Sequence, residues 1–369
     1  MASRPSEIPP PAAHRSGVPG PPGRLTIDLD AIAGNWRKLC DLAAPAAVAG
    51  VVKADAYGLG MDRVAPALHR VGCSLFFVAG LDEGASLRAL LPDIEIAVLS
   101  APVEGFQTAY RDYRLLPVLN HPGDLAAWPG EDAVLHIDTG MTRLGLDPAD
   151  AAALDRRRFR LVMSHLACAD EPDHPLNEVQ RRLFAKLAAR FDAPASLANS
   201  SGIFLGPGYR FDTARPGMAL YGLNPTPGEA NPMQPVLRLE ARVLQVREVD
   251  RPLTVGYGAT AEVRAGQRLA TVAAGYADGY LRAASPRAGA LLHGRRAPLV
   301  GRVSMDSIVV DVTGLPPGSV KPGDWAVLIG EGTDADALAE AAGTIGYEIL
   351  TSLGARYART YAGGGKPGA

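Results

Sequence analysis

VAGVVKADAYGLGMDRVAPALHRVG, residues 48–72, is followed one residue later by the apolar run SLFFVAG, residues 74–80. The opening of this stretch is a short β-branched and small apolar run, suited to a strand buried on both faces. Met61, Val64, Ala65, Leu68 and Val71 then recur at helical spacing along one stripe. The strand nevertheless ends in Lys53. Lysine is costly to bury, so a lysine closing an apolar run is either a surface side chain with a buried stem or a functional amine.

Outward from this unit the same rhythm recurs. The runs IEIAVLS (94–100), LLPVLN (115–120), AVLHIDTG (133–140), FRLVMSHLA (159–167), PASLANS (194–200) and GMALYG (217–222) are all short and mostly apolar. Helix-like segments such as LDEGASLRALL and PLNEVQRRLFAKLAARF stand between them. About eight strands alternating with helices predict a (β/α)8 TIM-type barrel over residues 24–235. An open doubly wound sheet is the alternative, but Gly58 and Gly60 do not make the G-x-G-x-x-G turn it would carry after its first strand.

Past Pro235 the pattern changes. LRLEARVLQVREV, RLATVAAGYA, GALLHGRRAPLVG, SIVVDVTG and DWAVLIGEG are strand-like runs divided by Gly, Pro and Asp. They predict a mostly-β second domain over 236–369, with a helix at 335–342. Residues 1–23, rich in Pro and Gly and lacking the continuous apolar stretch of a secretory signal, predict a disordered tail.

Composition narrows the function. Of the 369 residues, 47% are hydrophobic, enough for a sizeable core, and 37 Lys+Arg against 39 Asp+Glu leave a formal charge of −2. That balance makes nucleic acid an unlikely partner. Cys40, Cys73 and Cys168 are too far apart in sequence for a zinc site or a disulfide framework, which fits a reducing compartment. With no apolar run of membrane-spanning length, a soluble cytoplasmic protein without metal is expected.

Chemistry in such a barrel gathers at the C-terminal ends of the strands. Those positions hold Lys53 and Tyr57, Asp138 and Arg143, His165, Asn199 and Ser200, and Arg215 with Gly217. A lysine, a histidine, two arginines, and small hydroxyl or glycine positions thus share one rim. Each has an ordinary structural explanation alone, and together they make a candidate site.

These residues sit in motifs with a family likeness. VVKADAYGLG (51–60) resembles the cofactor-lysine motif of the alanine racemases. The likeness continues in order through DTGMTRLG, SHLACAD, NSSG, RPGMALYG, VGYGAT, GYADGY, GRVSMD, GYEIL and TSLGARY, from Leu25 to Tyr361. The resemblance implies racemisation of alanine with pyridoxal 5′-phosphate, for peptidoglycan precursors. A lysine that carries this cofactor covalently accounts for Lys53 at a strand end.

Further roles follow from the same resemblance. Lys53 and Tyr257 would be the two catalytic groups, one for each face of the substrate. A free tyrosine titrates near about 10, so Tyr257 needs neighbouring positive charge, and His165, linked to Arg215, is the neighbour implied. Arg215 would face the pyridine nitrogen as a pure donor. Tyr57, Ser200, Gly217, Met218 and Tyr347 would hold the phosphate. Arg143 and the backbone at Met305 would take the substrate carboxylate, with Asp306 and Tyr276 nearby. Since Tyr257 lies in the second domain, the resemblance implies a head-to-tail homodimer with shared active sites.

Two positions depart from the family pattern. His136 stands where a carbamylated lysine is often found and cannot form that carbamate, so Arg143 must be steadied in another way. Asp55 stands where asparagine is common. A related serine or broad-specificity racemase is the nearest alternative. A barrel-type decarboxylase would need a cysteine motif that the second domain lacks, and a non-catalytic cofactor carrier would lack that domain altogether.

Overall fold

The computed structural model describes residues 22–100, 102–154 and 158–365. Most of the stretch expected as a tail lies outside them. Seven parallel strands run in chain order through Gly50–Val51, Leu75–Val78, Glu95–Val98, Leu116–Leu119, Val134–His136, Leu161–Met163 and Ala195–Ser196. Closure comes from the short strand Thr213–Ala214. It pairs in parallel with Ala47–Val48, just upstream of the first strand. On its other side Asp212 N–H donates to the Ala195 carbonyl (3.0 Å) and Arg215 N–H to the Ala198 carbonyl (2.9 Å).

The strands are buried almost throughout, as their near-continuous apolar character requires when helices cover the outside. Helix Met61–Arg70 buries Met61, Val64, Ala65, Ala67 and Leu68 in the core and packs beside helix Leu29–Ala43. One expected strand is not there. GMALYG forms a 3-10 turn, Met218–Tyr221, and the eighth strand lies just ahead of it at Thr213–Ala214. Pro216 contributes no N–H to a ladder, and the turn that follows leaves the Gly217 and Ala219 N–H groups to a side chain, Ser200 (3.0 and 3.2 Å).

The second unit is a mostly antiparallel sheet in the order Arg295–Pro298, Gly289–Leu292, Trp325–Ile329, Leu237–Glu248, Gly23–Asp28, Ala358–Ala362. Arg268–Val272 and Ile308–Asp311 extend it from the far half of the long strand Leu237–Glu248. The strand Gly23–Asp28 is a surprise of topology. The expected boundaries divide it between tail and barrel, yet it lies antiparallel to Leu237–Glu248 and parallel to Ala358–Ala362. Gly23 is required there, because a Cβ would sit 2.6 Å from Cδ1 of Tyr357. Helices Ala335–Ala342 and Gly346–Ser352 carry the second unit back over the barrel mouth. Among the described residues no helix is long and apolar enough to cross a membrane.

Candidate active site

The first barrel strand delivers Lys53 into a cavity of about 1330 Å³ that opens at the C-terminal strand ends and is flanked by the two helices of the second unit. Immediately after Lys53 the backbone coils the wrong way. Ala54, Asp55, Ala56 and Tyr57 have φ values of 53°, 54°, 53° and 56°. Non-glycine residues pay about 1–2 kcal/mol each for this left-handed conformation, so the turn persists only because its surroundings fix it. Internally it is closed by Gly58 N–H to the Ala54 carbonyl (2.7 Å) and Ala56 N–H to the Val52 carbonyl (2.9 Å). Burial, and then the positive charge of Arg143, hold the Lys53 ammonium below its usual pKa, while Glu83 pulls the other way.

Arg215 is 5% exposed and lines the same cavity. One arm of its guanidinium donates to Ser196 Oγ, and the other donates to the Ser164 carbonyl at 2.5 Å. Burial lowers its pKa to about 10, which still leaves it a charged donor at neutral pH. His165 sits on the cavity wall. Burial first, then Arg215, Arg143, His136 and Lys53, lowers its pKa to about 3, so the ring is neutral. Its loop is fixed by Gln180 of helix Pro175–Ala188. The Gln180 amide donates to the His165 carbonyl and accepts from Ala167 N–H, both at 2.9 Å.

His136 is buried at the end of strand Val134–His136, with Nδ1 at 2.8 Å from Asn120 Oδ1. Asn120 spends its amide N–H groups on the carbonyls of Leu99 and Val118. Its oxygen is therefore the acceptor, His136 carries its proton on Nδ1, and Nε2 is left unprotonated. Burial, followed by Arg215, lowers the His136 pKa to about 4. The ring is thus neutral at pH 7. Arg143, an exposed residue lining the cavity, makes no ion pair with a carboxylate among the described residues. Asp138 shapes the loop that carries it: one oxygen, Oδ1, accepts from the N–H groups of Gly140, Met141 and Thr142 at 2.9, 2.9 and 3.1 Å.

A second cluster in the cavity gathers hydrogen-bond donors around Ser200. Ser200 Oγ accepts from Gly217 N–H and Ala219 N–H. With both lone pairs used, its hydroxyl proton remains to be donated. The Met218 N–H opens the 3-10 turn Met218–Tyr221, where it has no intrahelical acceptor. Gly217 has to be glycine, since a Cβ would lie 2.2 Å from Tyr57 Oη. The Tyr57 ring packs 4.7 Å from Tyr221 and 5.9 Å from Tyr347, centroid to centroid. Burial pushes the Tyr57 phenol well up and that of Tyr347 to about 12. Both stay protonated and able to donate, and Tyr347 already donates to Met218 Sδ.

Ten positions singled out in the sequence thus line one cavity: Lys53, Tyr57, His136, Arg143, His165, Asn199, Ser200, Arg215, Gly217 and Met218, joined by Tyr347 from the second unit. Tyr257 and Met305 do not. They stand outside it with 69% and 53% of their surface exposed. Sequence reading missed Asn120, Gln180 and Glu83, which touch the functional groups only through the fold. Glu83 had one visible signal, a Gly80-x-x-Glu83 spacing typical of a helix start, and its carboxylate does accept from Gly80 N–H (3.4 Å).

An amine at a strand end, a hydroxyl-and-amide cradle for a phosphate, and a guanidinium able only to donate fit a phosphorylated pyridine aldehyde. The fold and site define a barrel-type pyridoxal-phosphate enzyme. The profile described as "Alanine racemase, N-terminal domain" matches residues 27–225, and "Alanine racemase, C-terminal domain" matches 236–361. A relative from Rhodospirillum rubrum named "Alanine racemase" is 54% identical over 357 residues, covering 92% of this chain and 96% of that protein. The crystal structure of alanine racemase from Bartonella henselae with covalently bound pyridoxal phosphate superposes with a TM-score of 0.88 at 38% identity, covering 93% of this chain and 100% of that one. The biosynthetic alanine racemase of Pseudomonas aeruginosa gives 0.86 at 38% identity, with 93% and 100% covered. The chain belongs to the alanine racemase family.

Proposed function

We propose that this protein interconverts L- and D-alanine, with pyridoxal 5′-phosphate carried on Lys53, to supply peptidoglycan precursors. The observation that carries this reading is the gathering of Lys53, Arg143, His165 and Arg215 with the Ser200 cradle around one cavity. Tyr57, Ser200, Gly217, Met218 and Tyr347 would hold the cofactor's phosphate, and Arg215 would hold its pyridine nitrogen. When bound, the cofactor supplies the electron sink that makes the substrate Cα proton removable. Because Arg215 can only donate, it would hold the ring nitrogen without protonating it, and the electron sink supplied there would be a weak one that disfavours transamination.

Arg143 takes the substrate carboxylate through paired donors, joined by the backbone at Met305 of the partner subunit. Lys53 Nζ, as a free amine, moves the proton on one face of the substrate. Tyr257 Oη moves it on the other; His165, expected from the sequence to bring positive charge beside it, is a neutral ring, so the charge that eases loss of the phenol proton is that of Arg215.

Tyr257, Tyr276 and Met305 are all exposed on adjoining loops of the second unit: a Cβ on Gly275, next to Tyr276, would lie 2.3 Å from the Met305 carbonyl oxygen. Such aromatic and apolar side chains in water suit a surface covered by another subunit. The working enzyme is a symmetric cytoplasmic homodimer in which Tyr257 of each subunit serves the barrel of the other. The division at residue 235 separates the cofactor-binding barrel, 24–235, from the domain that completes the partner's site, 236–369. A panel of single L-amino acids, assayed for the D-enantiomer, tests the substrate. Alanine is expected to be fastest by far, and equal rates with serine or with larger side chains would refute the assignment.

A further inference from the structure

The left-handed turn behind Lys53 is gripped from two directions. From the barrel, Glu83 Oε1 accepts the Ala54 N–H at 2.6 Å, while Oε2 of the same carboxylate accepts the Ala79 N–H at 2.7 Å. The amide next to the reactive lysine is thereby tied to the end of the second barrel strand. From the second unit, Arg359 of strand Ala358–Ala362 donates to the Gly58 carbonyl at 2.5 Å and to the Leu353 carbonyl at 3.1 Å. Tyr361, in the same strand, donates to the Leu59 carbonyl at 3.1 Å. The fit is close, since a Cβ on Gly58 (φ 81°) would lie 2.7 Å from the Leu350 carbonyl oxygen.

We infer that Glu83 and Arg359 are positioning residues for Lys53, clamping the two ends of the left-handed turn so that the amine enters the cavity in one geometry. Ordinary L-residues relax toward right-handed backbone when their external partners are removed. Glu83 holds the turn at its first N–H and Arg359 at its last carbonyl. Neither touches the cavity contents directly, so both act through Lys53. The charge of Glu83 separately favours the ammonium form, against the larger influences of burial and Arg143.

The test is the rate at which full-length apoprotein attaches added pyridoxal phosphate to Lys53, followed by visible absorbance, together with kcat and KM of the holoenzyme. Glu83→Ala and Arg359→Ala should each slow attachment at least about tenfold and lower kcat with little change in KM, since misplacing a reacting group by an ångström costs up to about a hundredfold. Glu83→Gln keeps an acceptor for Ala54 N–H, and Arg359→Lys keeps one donor for the Gly58 carbonyl. Both should lie between parent and alanine variant, at about threefold slowing. Parental attachment rates in the alanine variants overturn the inference. Should those variants fail to fold, parental rates in the two conservative variants overturn it equally. The inference rests on Lys53 as the cofactor lysine, and the two fail differently. Attachment that survives Lys53→Ala removes that assignment, whereas unchanged rates in the Glu83 and Arg359 variants remove the clamp alone.

Discussion

The barrel mouth and the loop cluster around Tyr257 contrast in how complete they are. At the mouth, Arg215 is buried and both arms of its guanidinium are occupied, Ser200 is saturated with backbone donors, and His136 is fixed as one tautomer. Around Tyr257, Tyr276 and Met305 the side chains stand in solvent. The barrel mouth, with Tyr347 contributed by the second unit, is fixed by hydrogen bonds and packing, whereas the loops of Tyr257, Tyr276 and Met305 present their side chains to solvent. The proposed sharing of each site between two subunits would account for this separation of Tyr257 from the Lys53 cavity.

The contrast can be broken most violently at the mouth. Lys53→Ala should abolish covalent cofactor attachment and lower D-alanine formation by about a thousandfold or more, because both the carrier amine and one proton relay are lost. Visible absorbance and a coupled D-alanine assay read the two losses. A retained cofactor band would mean that another lysine is the carrier.

At the other region, Tyr257→Phe should leave attachment and absorbance unchanged while both directions of racemisation fall about 10²–10⁴-fold. Mixing inactive Lys53→Ala and Tyr257→Phe subunits sharpens the point. If sites are shared, random heterodimers contain one intact site, and about a quarter of parental activity should return. Failure to regain activity on mixing, with exchange verified by mass, would place Tyr257 over its own barrel.

Arg143→Gln should raise the KM for alanine by about tenfold or more, through loss of a paired charged donor. It should also move the pH at which the apoprotein amine becomes reactive. Arg143 lowers the Lys53 pKa, so its removal raises the midpoint, and Glu83→Gln, which removes an opposing influence, lowers it. Labelling of Lys53 by an amine-selective acylating reagent across a pH series measures both. Shifts in the same direction would contradict the arrangement of charges.

The smaller effects lie away from the chemistry. On the barrel floor Arg160 pairs with Glu95 at 2.6 and 2.5 Å, with 44% and 40% of their side chains exposed. Arg160→Ala should cost no more than about 1 kcal/mol of stability and leave activity intact, as thermal unfolding and the racemase assay would register. Bicarbonate should have no effect at all in carbon-dioxide-depleted buffer at fixed ionic strength. His136 offers no amine to carbamylate, and with pKa values of about 4 and about 3 the His136 and His165 rings should stay neutral by NMR across the physiological range around pH 7. A reversible dependence on bicarbonate would show that a carbamate forms at another residue.

Much of this was legible before the structure. Apolar runs at regular spacing give the barrel because parallel strands covered on both faces need nearly continuous apolar sequence. Short motifs such as DTGMTRLG and NSSG mark the rim because the loops at strand ends carry the special backbone and polar groups. GMALYG misled, since an apolar run of strand length fits a tight 3-10 turn equally well, and periodicity cannot tell the two apart.

The sequence by itself determined the residue types, their order along the chain and the alternation of strand and helix, because these depend on local patterns of hydrophobicity and turn chemistry. Only the tertiary structure decided that Gly23–Asp28 belongs to the second sheet, that residues 54–57 coil left-handed, and that Asn120 selects the tautomer of His136. Each of these depends on a partner distant in sequence: Ala241 opposite Gly23, Glu83 against Ala54, and Asn120 beside His136. A local window contains no trace of such a partner, because what fixes the conformation is a hydrogen bond or a packing contact that exists only after the chain has closed on itself.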